Sequence, residues 1–309
     1  MSDESAPLIW VVIPTWNRRA DLLECLESVA RQTYQPLRVV VVDNASTDGS
    51  VAAVRAHFPQ VCVLALDRNL GASEASNAGF RYALERGAQY VFRLDSDAIV
   101  DPAAIDHLIQ AASSPAIGVL SPKIYHYDDP TLIWYGGALR HRWHFGAYDT
   151  ARGARDAPAN SVERDVDYAW ATGMLLSRAV LEATGGFDPD FFVYYEEVDL
   201  CLRARQAGFR IRYVPAAILW HKVGLRAHSP WVAEQWNRSK MLLYRKHSRG
   251  CHRWSLIAYA YAYALWSALR RAPPGRGNRG PLRAALRGLY AGLTYPLPST
   301  VERLQGRPL

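Results

Sequence analysis

The sequence predicts an α/β fold: a doubly wound, mostly parallel sheet with a helical, basic C-terminal extension. Three observations carry this. Short apolar runs alternate with helix-spaced segments from residue 8 to about 120, polar clusters directly follow three of those runs, and positive charge collects after residue 237.

The first run, Leu8 to Ile13, stops at Pro14, as a buried parallel strand does. Ala20 to Gln32 places Leu22, Leu23, Leu26, Val29 and Ala30 on one helical face. Leu37 to Val42 is a second strand, closed by Asp43-Asn44, and Ser46 or Thr47 can cap the helix that Pro59 stops. Val61 to Leu66 follows as a strand and Ala72 to Arg86 as a helix ended by Gly87. Tyr90 to Leu94 is a fourth strand, ending at Asp95-Ser96-Asp97. Pro102 then opens a helix, and Ile117 to Leu120 is a further strand. Residues 121–170 predict hairpins and loops, with a mobile loop over Ala151 to Ser161. Regular signal returns at Ala169 to Ser177, in a helix over Glu196 to Ala207, and in a strand over Phe209 to Val214.

Composition narrows the class. Half of the 309 residues are hydrophobic, enough for a substantial core. Cys25, Cys62, Cys201 and Cys251 are scattered with no C-x-x-C pair, which argues for reduced thiols rather than a disulfide framework or a zinc site. The first seven residues are acidic and polar, which predicts no secretory leader and a cytoplasmic protein. Residues 238–309 hold 14 Lys/Arg against one acid, a net +13, whereas residues 1–237 net −6.

In a doubly wound sheet, ligands bind at the carboxyl ends of the strands. That rule gathers Thr15 to Arg18, Asp43-Asn44 and Asp95 to Asp97 around one crevice. Asp95 and Asp97, separated by one residue after a buried strand, suit Mg2+ or Mn2+ completed by phosphate oxygens and water. An exposed acidic turn is the plainer alternative. Asp43 can accept from a ribose hydroxyl or a base N–H, or can close an Asx turn over Ala45 to Gly49. Glu196, Glu197 and Asp199 crowd a helix start, where the helix dipole favours acids; adjacent carboxylates also repel, which can raise one pKa into general-base range. His221 follows the apolar stretch Ala216 to Trp220 as a metal ligand or as a packed imidazole.

Taken together, the segments resemble family 2 glycosyltransferases, and within them the bacterial rhamnosyltransferase-like enzymes. The likeness is carried by V-V-D-N-A-S-T-D-G-S, R-N-L-G-A-S-E-A-S-N-A-G-F (Arg68 to Phe80), L-D-S-D (Leu94 to Asp97), A-T-G-M-L (Ala171 to Leu175), G-G-F-D-P-D-F-F (Gly185 to Phe192), Y-E-E-V-D-L-C-L-R (Tyr195 to Arg203) and W-H-K-V-G (Trp220 to Gly224), in consistent order from Leu8 to His247. The resemblance implies a Rossmann-like, A-type glycosyltransferase fold and an inverting, metal-dependent transfer from a nucleotide-diphosphate sugar to a carbohydrate or lipid-linked acceptor of the cell surface. It implies that Thr15, Arg18, Asp43, Asn69, Gly71 and Asp95 line the donor site. Asp95, Asp97 and His221 would hold the metal, Glu197 would be the base with Glu196 beside it, and Thr172 and Gly173 would lie near the acceptor. Residues 1–237 would be the catalytic domain, with a donor half over 8–120 and an acceptor half over 121–237. The chain departs from the family in having Glu196-Glu197 where Glu-Asp is common and Trp236-Asn237 where Arg-Asn is common.

Trp254 to Leu269 carries no charge over sixteen residues, short of the about 20 a membrane span needs. Trp254, Trp266 and the flanking arginines suit a helix lying on an anionic membrane surface, which would place the protein on the inner face of the membrane. A packed helical hairpin and a true span are the alternatives. Pro281 to Leu293, with Arg283 and Arg287, is a second amphipathic segment. No nucleic-acid-binding motif accompanies the charge.

Three other functions are weighed against these features. A nucleotidyltransferase would carry a glycine-rich loop where Pro14-Thr15-Trp16-Asn17-Arg18 stands. A decayed sugar-binding protein would not keep Asp95, Asp97, Glu197 and His221 together. A processive synthase would show several spans and a Q-x-x-R-W motif, which Gln235-Trp236-Asn237-Arg238 is not.

Overall fold

The computed structural model describes residues 6–149, 151–222, 229–271 and 279–297, with backbone alone at 268–271 and 279. Thr150, residues 223–228 (which include Val223 and Gly224 of the W-H-K-V-G motif) and 272–278 lie outside the described residues.

The N-terminal half follows the predicted alternation. β1 (Ile9–Thr15), α1 (Arg19–Ala30), β2 (Leu37–Asp43), α2 (Ser50–His57), β3 (Cys62–Ala65), α3 (Gly71–Glu85) and β4 (Tyr90–Leu94) build a parallel sheet in the order β4-β1-β2-β3. Ile9, Val11, Val12, Ile13, Val40, Val42, Val91 and Phe92 are wholly or almost wholly buried within it. Each such side chain contributes roughly 1.5–3 kcal/mol on leaving water. α3 lies close over β1 and β2 because Gly79 leaves no side chain between them: a Cβ there would overlap Val12.

The second half is mixed rather than parallel. β5 (Ala98–Val100), α4 (Ala104–Ala111), β6 (Ile117–His126), β7 (Ile133–Tyr135), β8 (Leu139–Arg140), β9 (Ala147–Tyr148), β10 (Arg164–Val166) and β11 (Gly173–Ser177) precede α5 (Arg178–Thr184), α6 (Glu196–Gln206) and β12 (Arg210–His221). β11 inserts antiparallel between β4 and β6, β12 runs parallel to β6, and β5 and β10 pair antiparallel with β12. The chain reaches β11 across the carboxyl ends of the neighbouring strands, so it re-enters the sheet in the opposite sense. Among the described residues, parallel winding is therefore confined to β1–β4 and the β6–β12 pair.

Two further differences concern the site. The last strand, expected to stop at Val214, continues to His221. Pro215 cannot donate to the ladder, and the register slips between Val214 and Ile218 instead of ending there. The expected loop after Ala151 is tied down: Lys123 and Tyr125 both bond Asp156, and a 3-10 turn spans Pro158–Ser161.

α7 (Pro230–His247), α8 (Gly250–Arg271) and α9 (Arg279–Thr294) complete the chain. α7 and α9 meet backbone to backbone through Gly288 and Gly292, where any Cβ would overlap the carbonyls of Glu234 and Arg238. α8 buries Leu256, Ile257, Ala260 and Ala264. The segment is thus packed on one side, as in the hairpin alternative, while Trp254, Tyr263 and Trp266 remain exposed on the other. Among the described residues no helix is long and apolar enough to cross a membrane.

Candidate active site

The crevice forms at the carboxyl ends of β1, β2 and β4. The loops after β1 and β2 are stitched together: Asn17 donates its N–H to Ser46 Oγ at 2.9 Å and accepts from the Thr47 N–H at 2.7 Å, and the Arg19 N–H bonds Asp48 at 2.8 Å. Thr15 and Asp43 are register partners at the two strand ends. Asp43 closes the Asx turn through Oδ2, which accepts from the Ser46 N–H at 3.0 Å. Its Oδ1 and the Thr15 hydroxyl are buried without a hydrogen-bond partner among the described residues. Buried polar groups in folded proteins are nearly always satisfied, so two adjacent orphans at a strand end fit a ligand with donor and acceptor groups of its own, as a nucleoside has.

Asn69 and Gly71 lie beside this pocket in supporting positions. Asn69 Oδ1 accepts from Asn44 Nδ2 and from the Gly71 N–H, both at 2.9 Å. Gly71, at φ +84°, leaves no room for a Cβ against the Phe192 carbonyl, to which Ala72 donates at 2.7 Å. Asn77 clamps the Phe187 backbone in both directions, at 2.8 and 2.9 Å. The first turns of α3 therefore fasten the segment that leads to α6.

Asp95, Asp97 and His221 come together as the sequence predicted, with ligand atoms all within 4.8 Å of one another. The topology explains why. β5 begins directly after Asp97 and pairs with the end of β12, setting Ala98 opposite His221. His221 Nε2 lies 3.4 Å from Asp97 Oδ1, and Arg18 lies 3.1 Å from Asp97 Oδ2. Burial pulls the His221 imidazole down, but the Asp97 hydrogen bond and the charges of Asp97 and Asp95 outweigh it, so its pKa rises above the ordinary value. Burial likewise pushes the Asp95 carboxyl up, and the Arg93 guanidinium with His221 outweighs that, leaving it below the usual carboxylate range. Two carboxylates and one imidazole form a donor set that fits Mn2+ or Mg2+, hard oxygen ligands dominating.

Arg93 was not singled out from sequence. It is a buried charge within the apolar run Tyr90 to Leu94, and it bonds Asp95 Oδ1 and the Ala171 carbonyl. A charge inside a buried strand is expensive unless paired, and that anomaly was the available signal. Thr172 is adjacent: its carbonyl accepts from the Asp95 N–H at 3.0 Å, and Gly173 pairs with Leu94 across the β11–β4 ladder.

The acidic cluster divides into two roles. Asp199 is fully buried and ion-paired with Arg203 at 2.8 Å, Lys246 at 2.8 Å and His247 at 2.7 Å. Burial alone would raise its carboxyl, but Arg203, Lys246 and His247 hold it well below the usual range. It joins α6 to α7. Among the described residues, Glu196 and Glu197 have no such partners. Glu196 is buried and its Oε2 meets no hydrogen-bond donor. Burial raises Glu196 to about 7. Burial and then the neighbouring Glu196 charge raise Glu197, which is half-buried, to about 8. The two residues before them, Tyr194 and Tyr195, both take φ +67°, a left-handed conformation costly for a side chain of this size. Trp236 of α7 packs on both rings, at 5.2 and 4.9 Å between centroids, and braces the turn.

Comparison with known proteins bears on the family and the fold. The profile of Glycosyl transferase family 2 matches residues 10–185. The chain is 31% identical over 292 residues to the N-acetylglucosaminyl-diphospho-decaprenol L-rhamnosyltransferase of Mycobacterium tuberculosis, covering 85% of this chain and 94% of that one. It is 26% identical to the dTDP-rhamnosyl transferase RfbF of Shigella flexneri, covering 77% and 80%. A solved mannosyltransferase of Pyrobaculum calidifontis, in complex with GDP-Man and Mn2+, superposes with a TM-score of 0.61 at 18% identity, covering 94% of this chain and 88% of that one.

Proposed function

Because the chain belongs to glycosyl transferase family 2 and has the A-type glycosyltransferase fold, we propose that this glycosyltransferase moves a hexose, rhamnose in the first instance, from a nucleotide diphosphate sugar to a lipid-diphosphate-linked sugar hydroxyl with inversion. The observation that carries the proposal is the convergence of Asp95, Asp97 and His221 on one point, close to a Glu196–Glu197 pair whose carboxyls are raised to about 7 and about 8.

Thr15 and Asp43 offer their free buried oxygens to the nucleoside, with Asn69 and Gly71 shaping the wall. Arg18 flanks the diphosphate, and Asp95, Asp97 and His221 would hold Mg2+ or Mn2+. A divalent ion there supplies positive charge to the departing diphosphate. Thr172 and Gly173 line the acceptor side, at the start of β11. Glu197 takes the proton of the attacking hydroxyl; a carboxylate raised to about 8 is a far stronger base than an ordinary glutamate. Glu196 keeps that pKa high, because two adjacent carboxylates in a buried turn resist carrying charge together. Arg93 keeps Asp95 ionised beside them. Donor half 8–120, acceptor half 121–237 and extension 238–309 divide the labour, and the exposed aromatics of α8 rest on an anionic cytoplasmic membrane face that presents the acceptor.

The names of the M. tuberculosis and S. flexneri relatives support rhamnose, and the former supports the lipid diphosphate. The test is transfer from dTDP-rhamnose to N-acetylglucosaminyl-diphospho-prenol, with the new anomeric linkage read by NMR. An inverted product supports the proposal; a retained configuration, or nucleotide release without transfer, contradicts it.

A further inference from the structure

The chain has four lysines, and three are ion-paired: Lys123 with Asp156, Lys222 with Asp21 and Glu24, and Lys246 with Asp188 and Asp199. Lys240 is different. Among the described residues no carboxylate lies within ion-pair distance of it. Its ammonium meets the Asn237 carboxamide oxygen at 3.3 Å and the face of Tyr263 at 5.5 Å, and burial lowers its pKa to about 8. An uncompensated, partly desolvated cation asks for an anion that the fold does not supply.

Its surroundings have the same character. His144 accepts the Gly146 N–H at its own Nδ1 (2.9 Å), and His141 accepts the Trp143 N–H at Nδ1 (3.3 Å). With both Nδ1 atoms occupied as acceptors, the tautomer that satisfies them carries its proton on Nε2, so each ring presents an N–H donor. The two rings stack 4.0 Å apart, and His144 stacks on Tyr259 of α8 at 5.4 Å. Tyr259 in turn packs on Tyr263 at 6.0 Å, the ring beneath the Lys240 ammonium, so the two imidazoles and the lysine are joined through one aromatic row.

This neighbourhood adjoins the acceptor side. Lys240 lies one turn along α7 from Trp236, an axial rise of about 6 Å on the same helix face. Trp236 packs on Tyr194 and Tyr195, the two residues that lead into Glu196 and Glu197. We propose that Lys240, with the Nε2–H groups of His141 and His144, is an anion subsite that holds the phosphate of the acceptor while Tyr195 and Trp236 wall the acceptor sugar. The inference rests on the glycosyl-diphosphate-lipid reading above and assigns the residues that select for it. Donor diphosphate has its own partners at Arg18 and the Asp95–Asp97–His221 set.

The test uses the full chain and two acceptors: the glycosyl-diphosphate prenol and the same sugar as a neutral octyl glycoside. Lys240→Met raises the KM for the diphosphate acceptor about tenfold relative to the KM for the glycoside, as losing ~1.4 kcal/mol of charge-assisted contact requires. Lys240→Arg restores most of the preference, and the nucleotide-induced thermal shift stays at its wild-type size. Equal KM changes for both acceptors, or a wild type with no preference for the diphosphate acceptor, would overturn the subsite while leaving the donor reading intact. Weakened binding of Lys240→Met to anionic phosphatidylglycerol vesicles, with an unchanged KM ratio, would assign the anion to a membrane headgroup and overturn it as well. Loss of the nucleotide shift in the wild type would instead sink the donor reading beneath it.

Discussion

Asp97 divides its carboxylate between two partners: Oδ1 faces His221 Nε2 at 3.4 Å and Oδ2 faces Arg18 at 3.1 Å. One side chain thereby links the loop after β1, the turn after β4 and the end of β12. Replacing it with alanine removes a ligand and leaves His221 and Arg18 facing each other. Asp97→Ala should lower kcat/KM by at least about a hundredfold, on the scale seen when one group stabilising a developing charge is lost. Chelation should abolish wild-type turnover, and added Mn2+ should restore it in the wild type but not in the variant. Steady-state rates with and without EDTA check this.

Glu197 is the proposed base, so its carboxyl must be ionised to act. With the pair raised to about 7 and about 8, kcat/KM should climb with pH across that interval and level off above it, with two macroscopic pKa values belonging to the pair. Glu197→Gln should cost about 10²–10⁴-fold in kcat.

The same shifts predict a stability signature of opposite sign. A carboxyl raised in the folded state binds its proton more tightly there than in the unfolded chain. The pair's own contribution to stability is therefore greatest at acid pH and declines as pH rises from the ordinary glutamate value through about 8. Glu197→Gln stays neutral, so its melting temperature should exceed that of the wild type at pH 8 and match it near pH 5. Thermal melts at the two pH values decide it.

Asp199 should behave otherwise. It is buried among Arg203, Lys246 and His247, so Asp199→Asn leaves Arg203 without its counter-charge and Lys246 with Asp188 alone, and should cost roughly 3–5 kcal/mol of stability. The folded fraction that remains should keep most of its kcat, which separates this acid from Glu197. Denaturant unfolding together with active-site-normalised rates checks both halves.

The exposed face of the last helices gives a fifth prediction. Trp254 and Tyr290 are 67% and 65% exposed and Trp266 is 48% exposed. If they rest on a membrane surface, Trp254→Ala with Trp266→Ala should weaken sedimentation with anionic vesicles severalfold while leaving the melting temperature within about 2 °C.

Most of the N-terminal half was legible in the sequence, because buried parallel strands read as unbroken apolar runs and their ends fall where polar residues begin. Asp43, Asp95 and Asp97 were found that way. His221 was located by motif, but its placement needed a strand that runs on past Pro215, and a proline in an apolar run reads as a stop. The antiparallel insertion of β11 has no local signature, since its residues look like any buried strand. Glu197 and Asp199 are two positions apart and chemically alike in sequence. Their opposite fates depend on Lys246 and His247, some fifty residues away on α7, and long-range pairing of this kind is invisible to spacing. The left-handed pair Tyr194–Tyr195 was hidden for a related reason: the tertiary brace from Trp236 overrides what tyrosine prefers alone.

The central claim is that the crevice at Thr15, Asp43, Asp95 and Asp97 takes a nucleotide diphosphate with a divalent metal. Thermal stabilisation by dTDP, UDP and GDP, each with and without Mn2+, on the wild type and Asp97→Ala tests it most directly. The account predicts a metal-dependent shift with one nucleotide, about 2.7 kcal/mol at a hundred times its dissociation constant, and its loss in the variant. No shift with any nucleotide, or an equal shift in Asp97→Ala, would contradict it.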